Sequence, residues 1–208
     1  MADRGRPRSF DRTEALERAM RVFWKKGYEG ASLNDLTAAM GIGCPSLYAA
    51  FGSKEGLFLE AIAHYNKVVG TEIWDAVETA STAHDAMRDF LDATVEAYSR
   101  TDAPQGCLIA LAALHQDSSS GAICSELRRL RAENIDALRR RFRRSVEEAD
   151  LPAGFDCDAA ALFYATTQQG MSIIARDGAS REALAAVADG AMAAFQPLVD
   201  KANAPHGP

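Results

Sequence analysis

Apolar side chains recur at helical spacing along most of the chain, and no segment alternates apolar and polar residues as a half-buried strand does. Near the N-terminus Leu16, Ala19, Met20 and Phe23 share one helical face, and Gly27 follows as a natural C-terminal stop. This spacing predicts an all-α protein whose first helix ends at Gly27.

Two short helices are predicted after this first one. The earlier of them has Ser32 as its N-cap, with Asp35 at the third helical position. After a glycine-containing turn at 41–43, Pro45 suits the first turn of the second short helix, which ends at Gly52. Two short helices joined in this way and braced by a preceding amphipathic helix form a helix-turn-helix, whose second helix enters the major groove of DNA.

Longer helices are predicted in the rest of the chain, separated by segments rich in Ser, Gly, Pro and Asp. We expect them at residues 53–76, 84–100, 106–116, 121–149, 157–177 and 181–199. The helix expected at 121–149 is rich in Arg and acidic residues. We interpret it as a solvated face with helical ion pairs, and a second nucleic-acid surface is the alternative.

The chain has enough apolar residues for a core, at 48% of 208, but its net charge of -6 argues against a nucleic-acid partner. Residues 1–28 nevertheless carry eight Lys or Arg and only four Asp or Glu, so a basic region exists at the N-terminus. The apolar run Cys107–Leu114 is far shorter than the ~20 residues that cross a bilayer. We expect a soluble, cytoplasmic protein.

The run Gly41–Leu57, GIGCPSLYAAFGSKEGL, closely resembles the signature of the TetR family of bacterial regulators, and Phe23, the pair Gly27-Tyr28 and residues 32–36 fit the same signature. The resemblance implies a homodimeric transcriptional regulator that binds a palindromic operator and is released by a small-molecule effector. Most relatives are repressors, so repression is expected.

The resemblance also implies a division of the chain. It comprises a flexible basic arm, a helix-turn-helix DNA-binding domain, a larger helical domain for ligand binding and dimerisation, and a disordered tail. The expected limits are 1–9, 10–55, 56–201 and 202–208.

The resemblance also implies DNA contacts for individual residues of the signature. Cys44, Pro45 and Ser46 begin the recognition helix, where side chains at the N-terminal end reach base edges. Tyr48 matches the family tyrosine whose hydroxyl bonds a backbone phosphate, and Lys54 matches the lysine that does the same from the start of the fourth helix. The alternative for Tyr48 is a core aromatic.

Three further features bear on the DNA contacts. Relatives often carry a longer polar or basic residue at the position of Cys44, so we expect fewer base contacts from this helix. Ser32 can add a phosphate contact, although helix capping explains it equally well. An arm containing Arg4, Arg6 and Arg8 suits a narrow, negative minor groove, and the alternative is a start that makes no contact.

The TetR resemblance implies an effector pocket between the DNA-binding helices and the dimer helices. Aromatic and polar side chains of this region are its candidate lining, although ordinary core packing explains each of them as well. The candidates are Phe90, Tyr98, Cys107, His115, Tyr164, Gln168 and Met171.

Two apolar stripes are the candidate dimer surface, because the last two helices of TetR-like proteins pair with their mates as a four-helix bundle. Packing within one chain would explain the same stripes. The stripe on the last helix comprises Leu184, Val187, Ala188, Ala191, Met192 and Phe195. The stripe on the preceding helix comprises Leu162, Ala165, Thr166, Gln169, Ile173 and Ile174.

Cys107 is the residue singled out for chemistry. It follows Pro104 and Gly106, so we expect it at a helix N-terminus, where the macrodipole favours a thiolate that can sense oxidants or electrophiles. The alternative is a small buried hydrophobe. An enzyme with Cys107 as nucleophile and His115 as base is a remote alternative, because eight helical residues separate them by about 12 Å.

Other chemistry is not expected from this sequence. It contains no phosphate loop after a strand, no nucleophile elbow and no histidines at metal-binding spacing. Its four cysteines lie far apart, so they are interpreted as reduced thiols. We therefore expect neither catalysis nor a metal or cofactor.

Overall fold

The computed structural model of the protein describes residues 10–112 and 121–203. Every regular element in these ranges is a helix, which confirms the all-α prediction. In chain order the elements are α1 (Arg12–Gly30), α2 (Leu33–Met40), α3 (Cys44–Phe51), α4 (Lys54–Tyr65), a π-helical turn (Asn66–Gly70), α5 (Thr71–Thr79), α6 (Ala83–Ser99), α7 (Leu108–Ala112), α8 (Gly121–Glu147), α9 (Cys157–Arg176), α10 (Arg181–Ala193) and α11 (Phe195–Asn203).

The first helix forms as the apolar spacing predicts. The carboxylate of Asp11 caps it by accepting hydrogen bonds from the backbone N–H groups of Thr13, at 2.8 Å, and Glu14, at 3.0 Å. Its predicted apolar face is buried. The stop expected at Gly27 is a kink, because this glycine has a left-handed φ of 73° while the helical assignment continues to Gly30.

The helix predicted at 53–76 is instead divided into α4, the π-helical turn and α5. A π-helical turn adds one residue, which rotates the following helical face by about 100°. Tyr65 before the turn therefore packs in one cluster of buried side chains, whereas Ile73 and Val77 after it pack in another.

The prediction of one continuous helix at 181–199 is wrong. The chain breaks at Ala194, between α10 and α11. Pro197 explains the break, because its ring lacks an N–H and would clash with the carbonyl of Ala193 in an unbroken helix. The expected disordered tail is also wrong at its start, because Ala202 and Asn203 belong to α11. Residues 204–208 lie outside the described ranges.

Two hydrophobic cores organise the molecule. The first joins α1 to α4 with α7 and the start of α8, and the second joins α5, α6, the later part of α8, and α9 to α11. The long helix α8 spans both, with Leu127 in the first core and Phe142 in the second. Cys107 packs against both cores. The helices of the described ranges are all too short or too polar to cross a bilayer.

Several arginines on the solvent-facing side of α8 are paired with acidic residues. Arg129 bonds Glu126 and Glu133, and Arg139 bonds Asp136 on the same helix and Asp158 on α9. Such exposed pairs contribute little to the stability of the fold, because water screens them. This arrangement favours the solvated, ion-paired interpretation over a second nucleic-acid surface.

Candidate nucleic-acid interface

The helix α2 is held in place by hydrogen bonds at its first turn. The Ser32 hydroxyl accepts from the backbone N–H of Asp35 at 3.1 Å, and the Asp35 carboxylate accepts from the Ser32 N–H at 3.0 Å. The same carboxylate lies 2.7 Å from the Lys26 ammonium of α1. The bonds from Lys26 and Ser32 lower the pKa of Asp35 to about 2. Ser32 is thus the N-cap of α2. The residue is also exposed at the surface.

A tight turn orients α3 against α2. Gly41 ends α2 with a left-handed φ of 68°, and its N–H donates to the carbonyl of Thr37. The carbonyl of Thr37 also accepts from the N–H of Ile42 at 3.2 Å. This geometry matches the predicted helix-turn-helix, with α1 as the bracing helix.

The recognition helix α3 has one buried and one exposed face. Leu47 and Phe51 are buried in the first core, whereas Pro45 and Ser46 are exposed at the N-terminal end. The Tyr48 side chain is 46% exposed, so the core-aromatic alternative is wrong. Cys44, the first residue of the helix, is half-buried. The exposed side chains of α3 form a surface that can approach a groove of DNA.

The start of α4 is packed tightly against the end of α3. A Cβ atom added at Gly56 would lie 2.4 Å from the carbonyl oxygen of Phe51, so only glycine permits this approach. The Ser53 hydroxyl caps α4 by accepting from the Gly56 N–H at 2.9 Å. The Lys54 ammonium lies 4.4 Å from the centre of the Tyr28 ring, a cation–π contact that restrains this lysine beside α3.

Arg12 braces the recognition helix, a role that the sequence pattern did not indicate. Its guanidinium lies 4.4 Å from the centre of the Phe51 ring and donates to the Ala50 carbonyl at 3.1 Å. It also bonds the Glu60 carboxylate of α4 at 2.8 Å. No local signal marks it, because its partners are 38 or more residues away. The predicted arm residues Arg4, Arg6 and Arg8 lie outside the described ranges.

Two family models match this chain. The model of bacterial regulatory proteins of the tetR family matches residues 15–61. The model of the tetracyclin repressor-like C-terminal domain matches residues 83–190, more than half of the chain. The chain belongs to the TetR family.

Relatives of known name agree with this membership. The chain is 33% identical over 197 residues to the HTH-type transcriptional repressor ComR of Escherichia coli (strain K12), and the match covers 94% of each protein. It is 30% identical over 201 residues to the HTH-type transcriptional repressor BdcR of the same organism, covering 95% of each.

A solved structure extends the similarity to the whole fold. It contains a cysteine mutant of the TetR family transcriptional regulator CifR, complexed with 26-bp double-strand operator DNA. This chain is 47% identical to it, with a TM-score of 0.87, and the match covers 91% of this chain and 99% of the other.

In this TetR-family chain Cys107 lies between the two cores, immediately before α7. Its carbonyl accepts from the N–H of Leu111 at 3.0 Å. The thiol contacts the side chains of Tyr65 and Tyr98. Burial, together with the contact with Cys107, raises the pKa of both phenols, so both hydroxyls remain protonated. His115, the proposed base of the remote enzyme alternative, lies outside the described ranges.

Residues 105–107, here called the junction segment, connect α1 with α9 of this TetR-family fold. The carbonyl of Gln105 accepts from Nε of Arg176 at 3.0 Å, and the carbonyl of Gly106 accepts from the indole N–H of Trp24 at 2.9 Å. The backbone N–H of Cys107 donates to the Ser172 hydroxyl at 2.7 Å. Arg176 also donates to the carbonyls of Trp24, at 2.7 Å, and Lys25, at 3.1 Å. No sequence pattern indicates this role of Arg176, because its partners are carbonyls distant in sequence.

The other candidate effector residues pack inside the second core. Gln168 donates to the Thr94 hydroxyl at 3.1 Å, and the Tyr164 hydroxyl donates to the carbonyl of Ala191 at 3.3 Å. Core packing thus accounts for their burial, and an effector pocket among them stays a prediction. The buried candidates are Phe90, Tyr98, Tyr164, Gln168 and Met171.

The two predicted dimer stripes differ in their surroundings. On α10 and α11 the stripe is part of the chain's own core, except for Val187, which is exposed. On α9 Leu162, Thr166, Ile173 and Ile174 are exposed, whereas Ala165 is buried. Packing within one chain therefore explains most of the later stripe, and α9 carries most of the candidate dimer surface. The core residues of the later stripe are Leu184, Ala188, Ala191, Met192 and Phe195.

Proposed function

We propose that the protein is a transcriptional repressor that binds a palindromic operator as a homodimer and is released by a small-molecule effector. The observation that carries this proposal is the recognition helix α3, which packs Leu47 and Phe51 into the core and exposes Tyr48 beside Ser46. The names of ComR and BdcR as repressors support the direction of regulation. The operator complex of the CifR mutant supports DNA as the partner.

In this proposal some side chains at and beside the exposed end of α3 contact bases and others contact phosphates. Cys44, Pro45 and Ser46 face base edges, with Ser46 as the polar contact. The Tyr48 hydroxyl and the Lys54 ammonium bind backbone phosphates and set the register of the helix. The Ser32 hydroxyl adds a phosphate contact, and the arm containing Arg4, Arg6 and Arg8 occupies the minor groove.

Homodimerisation in this proposal uses the exposed face of α9 together with Val187 of α10. Of the seven large apolar side chains exposed among the described residues, five lie on these two helices. A helix-turn-helix reads only a few base pairs, so a second copy on a two-fold symmetric site supplies the missing specificity. The five are Leu162, Phe163, Ile173, Ile174 and Val187.

Replacement of Tyr48 by Phe tests the proposed DNA contact. We expect Tyr48→Phe to weaken binding to the gene's own upstream DNA by about tenfold or more, because each subunit loses a hydrogen bond to a charged phosphate. Fluorescence anisotropy over several salt concentrations measures this. The slope with salt is expected to stay unchanged, since a neutral hydroxyl displaces no counterion.

The matched control is Tyr164→Phe, which removes a buried hydroxyl in the second core and is expected to preserve operator affinity. Equal affinity of wild type and Tyr48→Phe would remove Tyr48 from the interface. Absence of sequence-preferring binding by the wild-type protein to this DNA would contradict the proposed function itself.

A thiol-based mode of release is a second candidate, and the position of Cys107 favours it. The thiol contacts two phenols, packs against both cores and belongs to the junction segment that Trp24 binds. A group added to the sulfur would displace this segment and hence the end of α1. Regulation through an oxidant or electrophile then needs no separate effector pocket.

Alkylation with iodoacetamide tests this mode, because the sulfur forms a bond to carbon and iodide leaves. We expect treated wild-type protein to lose operator affinity by about tenfold or more, which is the usual scale of allosteric coupling. Cys44 is replaced by Ser in all the proteins compared, because its alkylation would by itself obstruct the proposed DNA surface. In this background Cys107→Ser should retain its affinity after the same treatment. Anisotropy measures affinity, and mass spectrometry identifies the modified residue.

Cys157→Ser is the control for this experiment. Burial raises the pKa of Cys157, which leaves less thiolate to react, so its removal should not prevent release. The thiol-based mode fails if wild type and Cys107→Ser release the operator to the same extent.

A further inference from the structure

A cavity of about 550 Å³ lies where the end of α1 meets the C-terminal end of α9. It is lined by Lys25, Arg176 and residues 100–105. Its volume falls within the roughly 300–1,000 Å³ of small-molecule sites. Neither the recognition helix nor Cys107 is part of this lining, although Gln105 of the junction segment is.

Positive charge exceeds negative charge in the lining of this cavity. Arg100 is compensated, because its guanidinium lies 3.3 Å from the Glu72 carboxylate and 3.4 Å from that of Asp102. Asp102 is the single acidic residue of the lining. Lys25 and Arg176 form no ion pair within the part of the chain that the structure describes. Two positive charges therefore lack a counter-charge there.

The guanidinium of Arg176 is held firmly without being neutralised. It is half-buried, and three of its N–H groups donate to the carbonyls of Gln105, Lys25 and Trp24. Carbonyl dipoles orient the group but carry no net charge. Burial lowers the pKa of Arg176, which reflects the cost of removing this cation from water. An anion in the cavity would stabilise the charged form.

Neighbouring cations on α1 show a different arrangement. Lys26 forms a 2.7 Å ion pair with Asp35, and it lines a separate cavity together with Arg18 and Arg21. Both of these arginines bond a glutamate one helical turn earlier. Lys25 lines both cavities and lacks such a partner. Arg176 lines the α1–α9 cavity but not the second one, so the two cations without an acidic partner come together in the α1–α9 cavity.

We propose that this cavity binds a small dianion, such as a phosphate monoester or a dicarboxylate, between Lys25 and Arg176. The lysine supplies a mobile ammonium from α1, and the arginine supplies an oriented, partly desolvated guanidinium from α9. A bound dianion would connect α1, which braces α3, with α9, which carries most of the proposed dimer surface. Its effect on operator affinity rests on the proposed function, whereas the binding itself does not.

Calorimetry with inorganic phosphate and with succinate, at constant ionic strength maintained by sodium chloride, tests the site. We expect saturable binding of at least one probe to the full-length wild-type protein with a Kd of about 1 mM or below. Lys25→Gln should weaken that binding by about fivefold or more, because it removes one of the two positive charges proposed to hold the dianion. The Lys25 side chain is exposed, so its replacement should not disturb the core. Lys26→Gln, which changes charge equally at the next position, should weaken the binding by less than about twofold.

Three outcomes would overturn the proposal. One is that neither probe saturates the wild-type protein below about 10 mM. Another is an equal loss in Lys25→Gln and Lys26→Gln, which would indicate the general field of the basic helix. The third is that Lys25→Gln binds the probes normally while losing operator affinity and salt dependence, which would assign Lys25 to the DNA backbone. Operator binding by the wild-type protein is measured separately, so failure of the site and failure of the proposed function remain distinguishable.

Discussion

Leu162→Glu is expected to convert the protein to a monomer and to reduce operator affinity by at least about a hundredfold, because burial of an unpaired carboxylate costs several kcal/mol. Leu162 lies on α9, and its side chain is 55% exposed in the single chain. Two-fold symmetry introduces the charge twice into the same interface. Light scattering after size-exclusion chromatography measures the mass, and anisotropy measures operator affinity.

Val68→Glu is the matched control for this prediction. It places the same charge on another exposed apolar position, 43% exposed and located in the π-helical turn. We expect it to leave both the mass and the affinity unchanged. If Leu162→Glu remains dimeric with full affinity, the exposed face of α9 is not the dimer surface.

Gly106→Ala is expected to lower the free energy of unfolding by about 2–4 kcal/mol, because strain and a steric clash coincide. Gly106 has a left-handed φ of 77°, and an added Cβ would lie 2.5 Å from the carbonyl oxygen of Ser172. The variant must either separate the junction segment from α9 or shift α9 itself. Urea unfolding followed by circular dichroism measures the loss.

Gly178→Ala separates the two causes. Gly178 has a similar left-handed φ of 94°, but no atom lies within 4 Å of its added Cβ. Its cost is expected to be only about 1 kcal/mol, the strain of the backbone alone. Equal losses in the two variants would show that the contact with Ser172 contributes nothing.

The helix-turn-helix was predictable because its signals are local. The cap at Ser32, its partner Asp35 and the turn glycine Gly41 act within a few residues of their own positions, and the structure shows each in its expected role. The buried face of α3 also follows from apolar spacing. The exposure of Tyr48 required the structure, since an aromatic residue of a short helix can face the core or the solvent.

Helix limits were less predictable than helix existence. Pro197 was a visible signal for the break after α10, but periodic apolar residues on both sides of it suggested one continuous helix. The π-helical turn at Asn66–Gly70 has no comparable signal. It reflects the need of one chain segment to contact two cores with different helical faces.

Apolar spacing also could not separate a core from an interface. Leu184 and Leu162 follow the same helical pattern, yet Leu184 is fully buried within the chain and Leu162 is exposed. The hydrophobic effect favours burial of both without specifying the partner. The position of α6 beside α10 decides the difference, and that position results from tertiary packing.

The sequence by itself determined the all-α class, the helix-turn-helix and the residues that cap and terminate its helices, because these depend on interactions between near neighbours. Tertiary structure alone decided that Arg12 braces α3, that the junction segment joins α1 to α9, and that Lys25 and Arg176 share a cavity. These contacts connect residues from 38 to 152 positions apart. Long-range packing brings them together, and no local pattern encodes such an approach.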